Sequence, residues 1–191
     1  MAAVRKEVVA LVATANLVVA VVAVNWAQGR PESASLPPSA APTAWDALDA
    51  QARCDSAAEL LRRPNPWPTI CHWRAAGQDL RGQSFPPPGG DPPWDRPRIE
   101  VYLGATEGRA EVAHIIAHEL GHMHHTRNAD FGPRWLQARG LAPELPWTVW
   151  TEDYAEVFAA LYGPPVEGWQ APTTRPSPGA LAALAAQFFT P

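Results

Sequence analysis

Two histidines spaced four residues apart constrain this chain more than any other feature of its sequence. They stand in the run His118-Glu119-Leu120-Gly121-His122, inside a stretch whose apolar positions follow a helical period. Residues i and i+4 lie on one face of an α-helix, so both imidazoles can reach one metal ion. On a helix, H-E-x-x-H is a zinc-binding pattern in which the glutamate serves as general base. The sequence therefore predicts a helix over about 107–124 with a metal-binding face.

A short strand precedes this helix. Arg98–Leu103 alternates Ile99, Val101 and Leu103 with more polar neighbours, which predicts a half-buried strand. Gly104 ends the strand, and one short connection leads from it to the helix.

A catalytic zinc ion needs a third protein ligand and keeps one position for water. The longer metzincin pattern is absent, because His125 and Asn128 stand where it requires glycine and histidine. Downstream, Glu152 and Glu156 are again four residues apart, at the start of another predicted helix. One carboxylate can bind the metal while the other orients a ligating histidine. Asp153 is the alternative third ligand.

H-E-x-x-H followed some thirty residues later by E-x-x-A-E resembles the gluzincin clan of zinc metallopeptidases, with its thermolysin-like and anthrax lethal factor-like enzymes. The resemblance covers residues 98–163. It implies an α+β, mainly helical fold with a zincin-like core. Such a core contains a short sheet whose edge strand comes directly before the H-E-x-x-H helix. A second helix carries the third ligand. The strand 98–103 would then pair with an extended substrate.

The same resemblance implies roles for single residues and an activity. The implied ligands of one Zn2+ per chain are His118, His122 and Glu152, with Glu119 as general base. Glu156 is the implied partner of a ligating histidine, which we expect to be His118. A tyrosine or histidine usually stabilises the oxyanion, and the candidates here are Tyr154, Tyr162, His124 and His125. The implied activity is hydrolysis of peptide bonds in a peptide or protein substrate.

Several of these residues have structural interpretations as well. His114, one turn before the motif, is either a fourth ligand or a structural histidine. His124 and His125 lie near the helix end, where an imidazolium suits the helix dipole. For the same reason, Glu107 and Glu111 at the helix start are expected to be exposed charges.

Other functions also fit the pattern. The domain can bind zinc without cleaving anything, as an inactive or structural domain on the cell surface. A structural site would be closed by a fourth ligand, such as His114 or His125, whereas a catalytic site stays open. The same zinc chemistry also attacks carbonyl groups other than peptides.

The N-terminal segment carries a membrane signal. Val8–Val24 is apolar with two polar interruptions, and at about 1.5 Å per residue such a run just spans a bilayer core. Arg5 and Lys6 precede it, which predicts a cytoplasmic N-terminus and an exported domain. We expect residues 1–28 to be a transmembrane anchor, with a cleaved signal peptide or a buried core helix as the alternatives. An anchor and a signal peptide both place the rest of the chain outside the cytoplasm.

Cys54 and Cys71 are the two cysteines of the chain. An even number of cysteines in an exported protein normally indicates a disulfide, and this one would close a short loop. Two unpaired buried thiols are the alternative. The spacing is far from that of C-x-x-C metal sites.

Proline is frequent in this chain: 22 of its 191 residues are prolines, against the roughly 5% that is typical of proteins. We expect a Pro/Ala/Ser linker over 29–43 and one domain over 44–191. Besides the strand and helix described above, the sequence predicts a helix over 43–62, loops over 64–97, and helices over 134–139, 151–162 and 180–189. The 9 tryptophans indicate either a core of large side chains or a groove lined with them. A net charge of −4 without a Lys/Arg-rich run argues against a nucleic-acid partner.

Overall fold

The computed structural model describes residues 44–86, 97–125 and 131–189. By its contacts the chain divides into two units, 1–41 and 42–191, and every described residue belongs to the second. The predicted N-terminal membrane segment and the linker after it lie outside the described residues. Within the described ranges, no helix combines the length and apolar character that crossing a membrane requires.

The described residues form a mixed α/β arrangement of five helices and one three-stranded sheet. In chain order the elements are α1 (Ala50–Ala58), β1 (Thr69–Trp73), β2 (Gly82–Phe85), β3 (Arg98–Leu103), α2 (Arg109–His125), α3 (Phe131–Arg139), α4 (Trp147–Tyr162) and α5 (Pro178–Phe188).

The sheet has the strand order β1-β3-β2. β3 runs parallel to β1 and antiparallel to β2, so Val101 stands opposite Cys71 on one side and Gly82 on the other. Ile99, Val101 and Leu103 are buried, while the residues between them are partly exposed. The alternation predicted for this strand is therefore confirmed.

Two expectations about the sheet are wrong. β3 is the central strand and not an edge strand, because it is paired on both sides. Residues 64–97, expected to be loops with little regular structure, contain β1 and β2. The sequences of these two strands, TICHW and GQSF, lack a clear apolar alternation, so their strand structure depends on hydrogen bonds to β3.

α2 and α4 are in close contact at Gly121, the glycine of the H-E-x-x-H run. A Cβ atom at Gly121 would lie 2.6 Å from Cα of Ala155 and 3.0 Å from Cβ of Phe158. Any larger residue would force the helices apart, since glycine is the residue that permits such an approach. This contact brings the histidines of α2 next to the glutamates of α4.

The helices begin at different residues from those predicted. α4 begins at Trp147, directly after Pro146, and so starts four residues before the predicted start at residue 151. α1 is much shorter than the predicted 43–62, and its N-cap is Asp49, whose side chain accepts a hydrogen bond from the first turn. Proline fixes an extended backbone before α4, and an Asp cap satisfies a free N–H of α1, so both starts have local causes.

Aromatic side chains fill the core next to α4. Trp135 and Tyr154 are fully buried with ring centroids 4.7 Å apart, and Phe188 packs 5.1 Å from Trp135. Trp147, by contrast, is 69% exposed. The tryptophans therefore serve both the core and the surface.

Cys54 of α1 and Cys71 of β1 form a disulfide, which confirms the predicted pairing. The bond fastens the first helix to a strand of the sheet. Closing a loop of this length restricts the unfolded chain and stabilises the fold by about 3 kcal/mol.

Candidate metal centre

Three side chains from α2 and α4 converge in one cluster. Nε2 of His118 lies 3.2 Å from Oε2 of Glu152 and 3.2 Å from Nε2 of His122. Nε2 of His122 lies 3.4 Å from Oε1 of Glu152. One ligand atom from each side chain lies within 4.8 Å of the others, which is a spacing that fits one metal ion. The structure thus brings together the three residues that the sequence predicts as ligands.

The donor atoms of this triad suit zinc. Two imidazole nitrogens and one carboxylate oxygen are a set found in catalytic zinc sites, which leave a fourth position open. The side chain of Glu152 is 44% exposed, so the cluster is accessible from solvent. Among the residues that the structure describes, no fourth His, Cys, Asp or Glu joins the group.

Glu156 lies one turn after Glu152 and contacts the opposite nitrogen of His118. Its carboxylate lies 3.2 Å from Nδ1 of His118 and 3.2 Å from Nε2 of His114, and it accepts a hydrogen bond from the backbone N–H of Gln170. Burial alone would raise the pKa of Glu156, but the hydrogen bonds from the two histidines lower it to about 2. An ionised carboxylate at Nδ1 holds the His118 ring with Nε2 directed at the triad.

His114 therefore contacts Glu156 and is not a member of the triad. Of the two interpretations offered by the sequence, the structure favours the structural histidine over the fourth ligand. Its Nε2 faces the carboxylate, and its ring continues a row of polar contacts from the triad through Glu156.

His118 lies between two carboxylates, and the charge of the cluster reflects this. Burial alone would lower the pKa of His118, but hydrogen bonds to Glu152 and Glu156 raise it to about 10. Burial would raise the pKa of Glu152, yet hydrogen bonds from His118 and His122 hold it well below its usual range. Surroundings that favour a proton in this way also favour a metal cation, which must displace that proton to bind.

Glu119 is buried against the edge strand β2. A Cβ atom at Gly82 would lie 2.8 Å from Cγ of Glu119, and the nearby Ser84 side chain favours the ionised form of its carboxylate. Burial raises the pKa of Glu119, although the charges of His122 and His118 oppose the rise. A carboxylate with a raised pKa beside the three candidate ligands is suited to accept a proton and return it.

Asp153, the alternative third ligand, points away from the triad. Its carboxylate is fully buried, accepts hydrogen bonds from Nε of Arg139 at 2.8 Å and Nε1 of Trp135 at 2.9 Å, and also contacts the Thr173 hydroxyl. One step along a helix turns a side chain by about 100°, which separates Asp153 from Glu152. The structure therefore excludes Asp153 as a ligand of this centre.

The four oxyanion candidates lie in different places. Nδ1 of His124 lies 2.7 Å from the hydroxyl of Tyr154, which is fully buried, and Tyr162 donates to the backbone carbonyl of Phe189. His125 alone of the four contacts the triad, with its Nε2 3.5 Å from Nδ1 of His122. Burial and the charge of His122 lower the pKa of His125 to about 4. It is therefore a neutral ring near pH 7.

Glu107 is not the exposed helix-start charge that we expect. It is 5% exposed, precedes α2, and its carboxylate lies 3.2 Å from the guanidinium of Arg74 and 3.0 Å from that of Arg81. It also accepts a hydrogen bond from the backbone N–H of Gly104. Glu111 does conform, because it is exposed in the first turn of α2.

Sequence reasoning missed Gly82 and Ser84, the two residues of β2 that contact Glu119. They lie in the stretch predicted to be loops, and a lone glycine and a lone serine carry no spacing that would reveal their position. Only the pairing of β2 with β3 places them next to α2.

The comparisons with known proteins add no relative to this description. The chain matches no family model, and no curated protein or solved structure shows significant similarity to it. The centre is therefore characterised by its own geometry and donor atoms.

Proposed function

We propose that this chain is a membrane-anchored, zinc-dependent peptidase that acts outside the cytoplasm. The observation that carries the proposal is the convergence of His118, His122 and Glu152, with the buried Glu119 next to them. A zinc ion held by these three ligands would supply a Lewis acid and lower the pKa of a water molecule.

The residues of the chain have separate tasks in this proposal. Glu119 accepts the proton of the attacking water and passes it to the leaving amine. Glu156 holds the ring of His118 through Nδ1, so that Nε2 stays directed at the metal position. Ser84 favours the ionised form of Glu119, which is the form that accepts a proton.

An extended peptide needs a strand edge beside the catalytic groups. β3 cannot offer one, because both of its sides are paired. β2 pairs only with β3 within the described ranges, and it contacts Glu119 at Gly82. We therefore assign the substrate-binding edge to β2 in place of the strand 98–103.

The proposed location rests on the N-terminal sequence. The apolar run Val8–Val24 after Arg5 and Lys6 favours an anchor with the domain on the far side of the membrane. The Cys54–Cys71 disulfide supports this placement, since such bonds persist in oxidising compartments.

The test of the activity is Glu119→Gln in the full-length chain. Zinc content is measured by elemental analysis, and cleavage of a mixture of unfolded proteins is measured by the new N-termini seen in mass spectrometry. We expect unchanged zinc and cleavage slower by at least about 100-fold, the contribution of a general base. The exposed Glu144→Gln is the matched control and should leave cleavage unchanged. Wild-type cleavage by Glu119→Gln would refute the proposal.

A zinc-binding domain without catalytic activity is the second candidate. It is favoured by one observation: His124, Tyr154 and Tyr162, three of the four oxyanion candidates, have polar atoms bonded away from the triad. This candidate predicts one zinc ion per wild-type chain and no new N-termini in the same assay.

A further inference from the structure

The two histidines of the triad are supported differently at the ring nitrogens that face away from it. Nδ1 of His118 lies 3.2 Å from the carboxylate of Glu156. Nδ1 of His122 lies 3.5 Å from Nε2 of His125, three residues further along α2. Residues i and i+3 are neighbours on a helix surface, so this second contact is built into α2 itself. His125 thus stands toward His122 as Glu156 stands toward His118.

Metal binding would fix the direction of the hydrogen bond between the two rings. Nε2 of His122 faces Glu152 in the triad, and an imidazole that binds a metal through Nε2 carries its hydrogen on Nδ1. That N–H faces Nε2 of His125, so His125 is the acceptor and carries its own hydrogen on Nδ1. Burial lowers the pKa of His125, which keeps the ring neutral near pH 7 and able to accept.

Aromatic rings of α4 hold the side chain of His125 in place. Its ring lies edge-on to Trp150 and to Tyr154, with centroids 5.7 Å and 5.9 Å away. Tyr154 is fully buried, and a Cβ atom at Gly132 would lie 2.9 Å from the ring of Trp150, so both rings are themselves closely packed. A residue that supports a metal ligand is effective when its own rotamer is locked by packing. His125 meets this condition.

Three other roles fit His125 less well. Its Nε2 contacts the Nδ1 side of His122, and among the described residues it is not part of the group that could hold a metal ion. A fourth ligand would instead have to face Nε2 of His122. A ring nitrogen that accepts from His122 cannot donate to an oxyanion at the same time. A neutral ring also brings no charge to the end of the helix.

We propose that His125 is a positioning residue of the metal centre, which accepts the Nδ1 hydrogen of His122 and keeps Nε2 of that ring directed at the metal position. This inference rests on the zinc-binding part of the proposed function and not on peptidase activity. The contact is long for a hydrogen bond and its acceptor is uncharged, so His125 should contribute less than the ionised Glu156 does.

The test compares two variants of the full-length chain that separate the acceptor from the ring. His125→Gln keeps an acceptor, because its amide oxygen reaches about as far as Nε2, and loses the aromatic ring. His125→Phe keeps a ring against Trp150 and Tyr154 and loses the acceptor. Zinc affinity is measured by competition with a chromophoric chelator, with folding checked by circular dichroism. His72→Phe, the same substitution at an exposed histidine of β1, is the matched control.

The two variants should differ in affinity. We expect His125→Phe to bind zinc about tenfold more weakly than the wild type, and His125→Gln and His72→Phe to stay within about threefold of it. If His125→Phe does not fold, His125→Leu, which also lacks the acceptor and is smaller, takes its place. Wild-type affinity in the variant without an acceptor would overturn the proposal. A larger loss in His125→Gln than in His125→Phe would also overturn it, because packing and not the acceptor would then matter.

The result is distinguishable from that of the proposed function. Zinc binding that weakens as expected, in a chain that cleaves nothing, supports the role of His125 and contradicts the peptidase. Loss of cleavage in His125→Phe at unchanged zinc affinity would assign His125 to the reaction itself and overturn the positioning role. A folded wild type that binds no zinc would overturn both.

Discussion

The two sides of α4 carry carboxylates that are neighbours in sequence and opposite in chemistry. On one side, Glu152 is partly exposed, and its carboxylate lies next to the two histidines of the triad. On the other, Asp153 is fully buried in an ion pair with Arg139. We call Glu152 and Glu156 the metal face of α4, and Asp153 and Val157 its core face.

The difference shows that the partners that a carboxylate meets on its side of the helix decide what it does. A buried carboxylate matched by a guanidinium has its charge compensated and its lone pairs occupied, so it stabilises the fold. A carboxylate that contacts imidazoles and faces solvent keeps the capacity to bind a cation. The metal face should therefore govern zinc, and the core face should govern stability.

The largest effect on stability is expected from Asp153→Ala on the core face. Removing one partner of a buried ion pair leaves Arg139 uncompensated, which should lower the free energy of unfolding by about 3–5 kcal/mol. Urea unfolding followed by circular dichroism measures the loss, with the exposed Glu144→Ala as control. A loss below about 1 kcal/mol would show that the core face does not depend on this ion pair.

Gly82→Ala tests the strand that adjoins the metal face. The added Cβ would collide with the side chain of Glu119 and displace its carboxylate. A misplacement of about 1 Å in a catalytic group can cost about 100-fold in rate, so we expect that loss of cleavage with zinc retained. Gly179→Ala is the control, because among the described residues a Cβ at that position would meet no atom within 4 Å apart from its chain neighbours and its own helix backbone. Equal cleavage by both variants would show either that Glu119 is not the general base or that its side chain accommodates the added Cβ atom without loss of function.

Glu156→Gln should have a smaller effect than loss of a ligand. It removes the charged acceptor at Nδ1 of His118 while keeping the size of the side chain. Loss of such a supporting contact typically weakens metal binding by about 10–100-fold. Competition with a chelator of known zinc affinity measures the change, and Glu111→Gln on the surface of α2 serves as control. Unchanged affinity would mean that the histidine is held in place without Glu156.

Sequence alone predicts the features that depend on residues close together in the chain. The alternation of Ile99, Val101 and Leu103 gives β3, and the spacing of the two histidines places both on one face of α2. The pairing of Cys54 with Cys71 follows from there being only two cysteines. The candidate ligands on α4 follow from the same four-residue spacing, which the start of the helix at Trp147 does not alter.

The remaining features depend on contacts between residues far apart in the chain. β1 and β2 are strands because they pair with β3, and their own sequences give no strand pattern. The burial of Glu107 depends on Arg74 and Arg81, which come from segments before β3. The choice between Glu152 and Asp153 likewise requires the direction in which α4 presents each side chain. No spacing in the sequence encodes these contacts.

Zinc stoichiometry tests the central claim most directly. Elemental analysis is carried out on freshly purified, full-length wild type, Glu152→Ala and Asp153→Asn, with folding checked by circular dichroism. The two faces of α4 predict about one zinc ion per chain in the wild type and in Asp153→Asn, and almost none in Glu152→Ala. Folded wild type without zinc, or Glu152→Ala with a full complement of it, would contradict the assignment of the metal face.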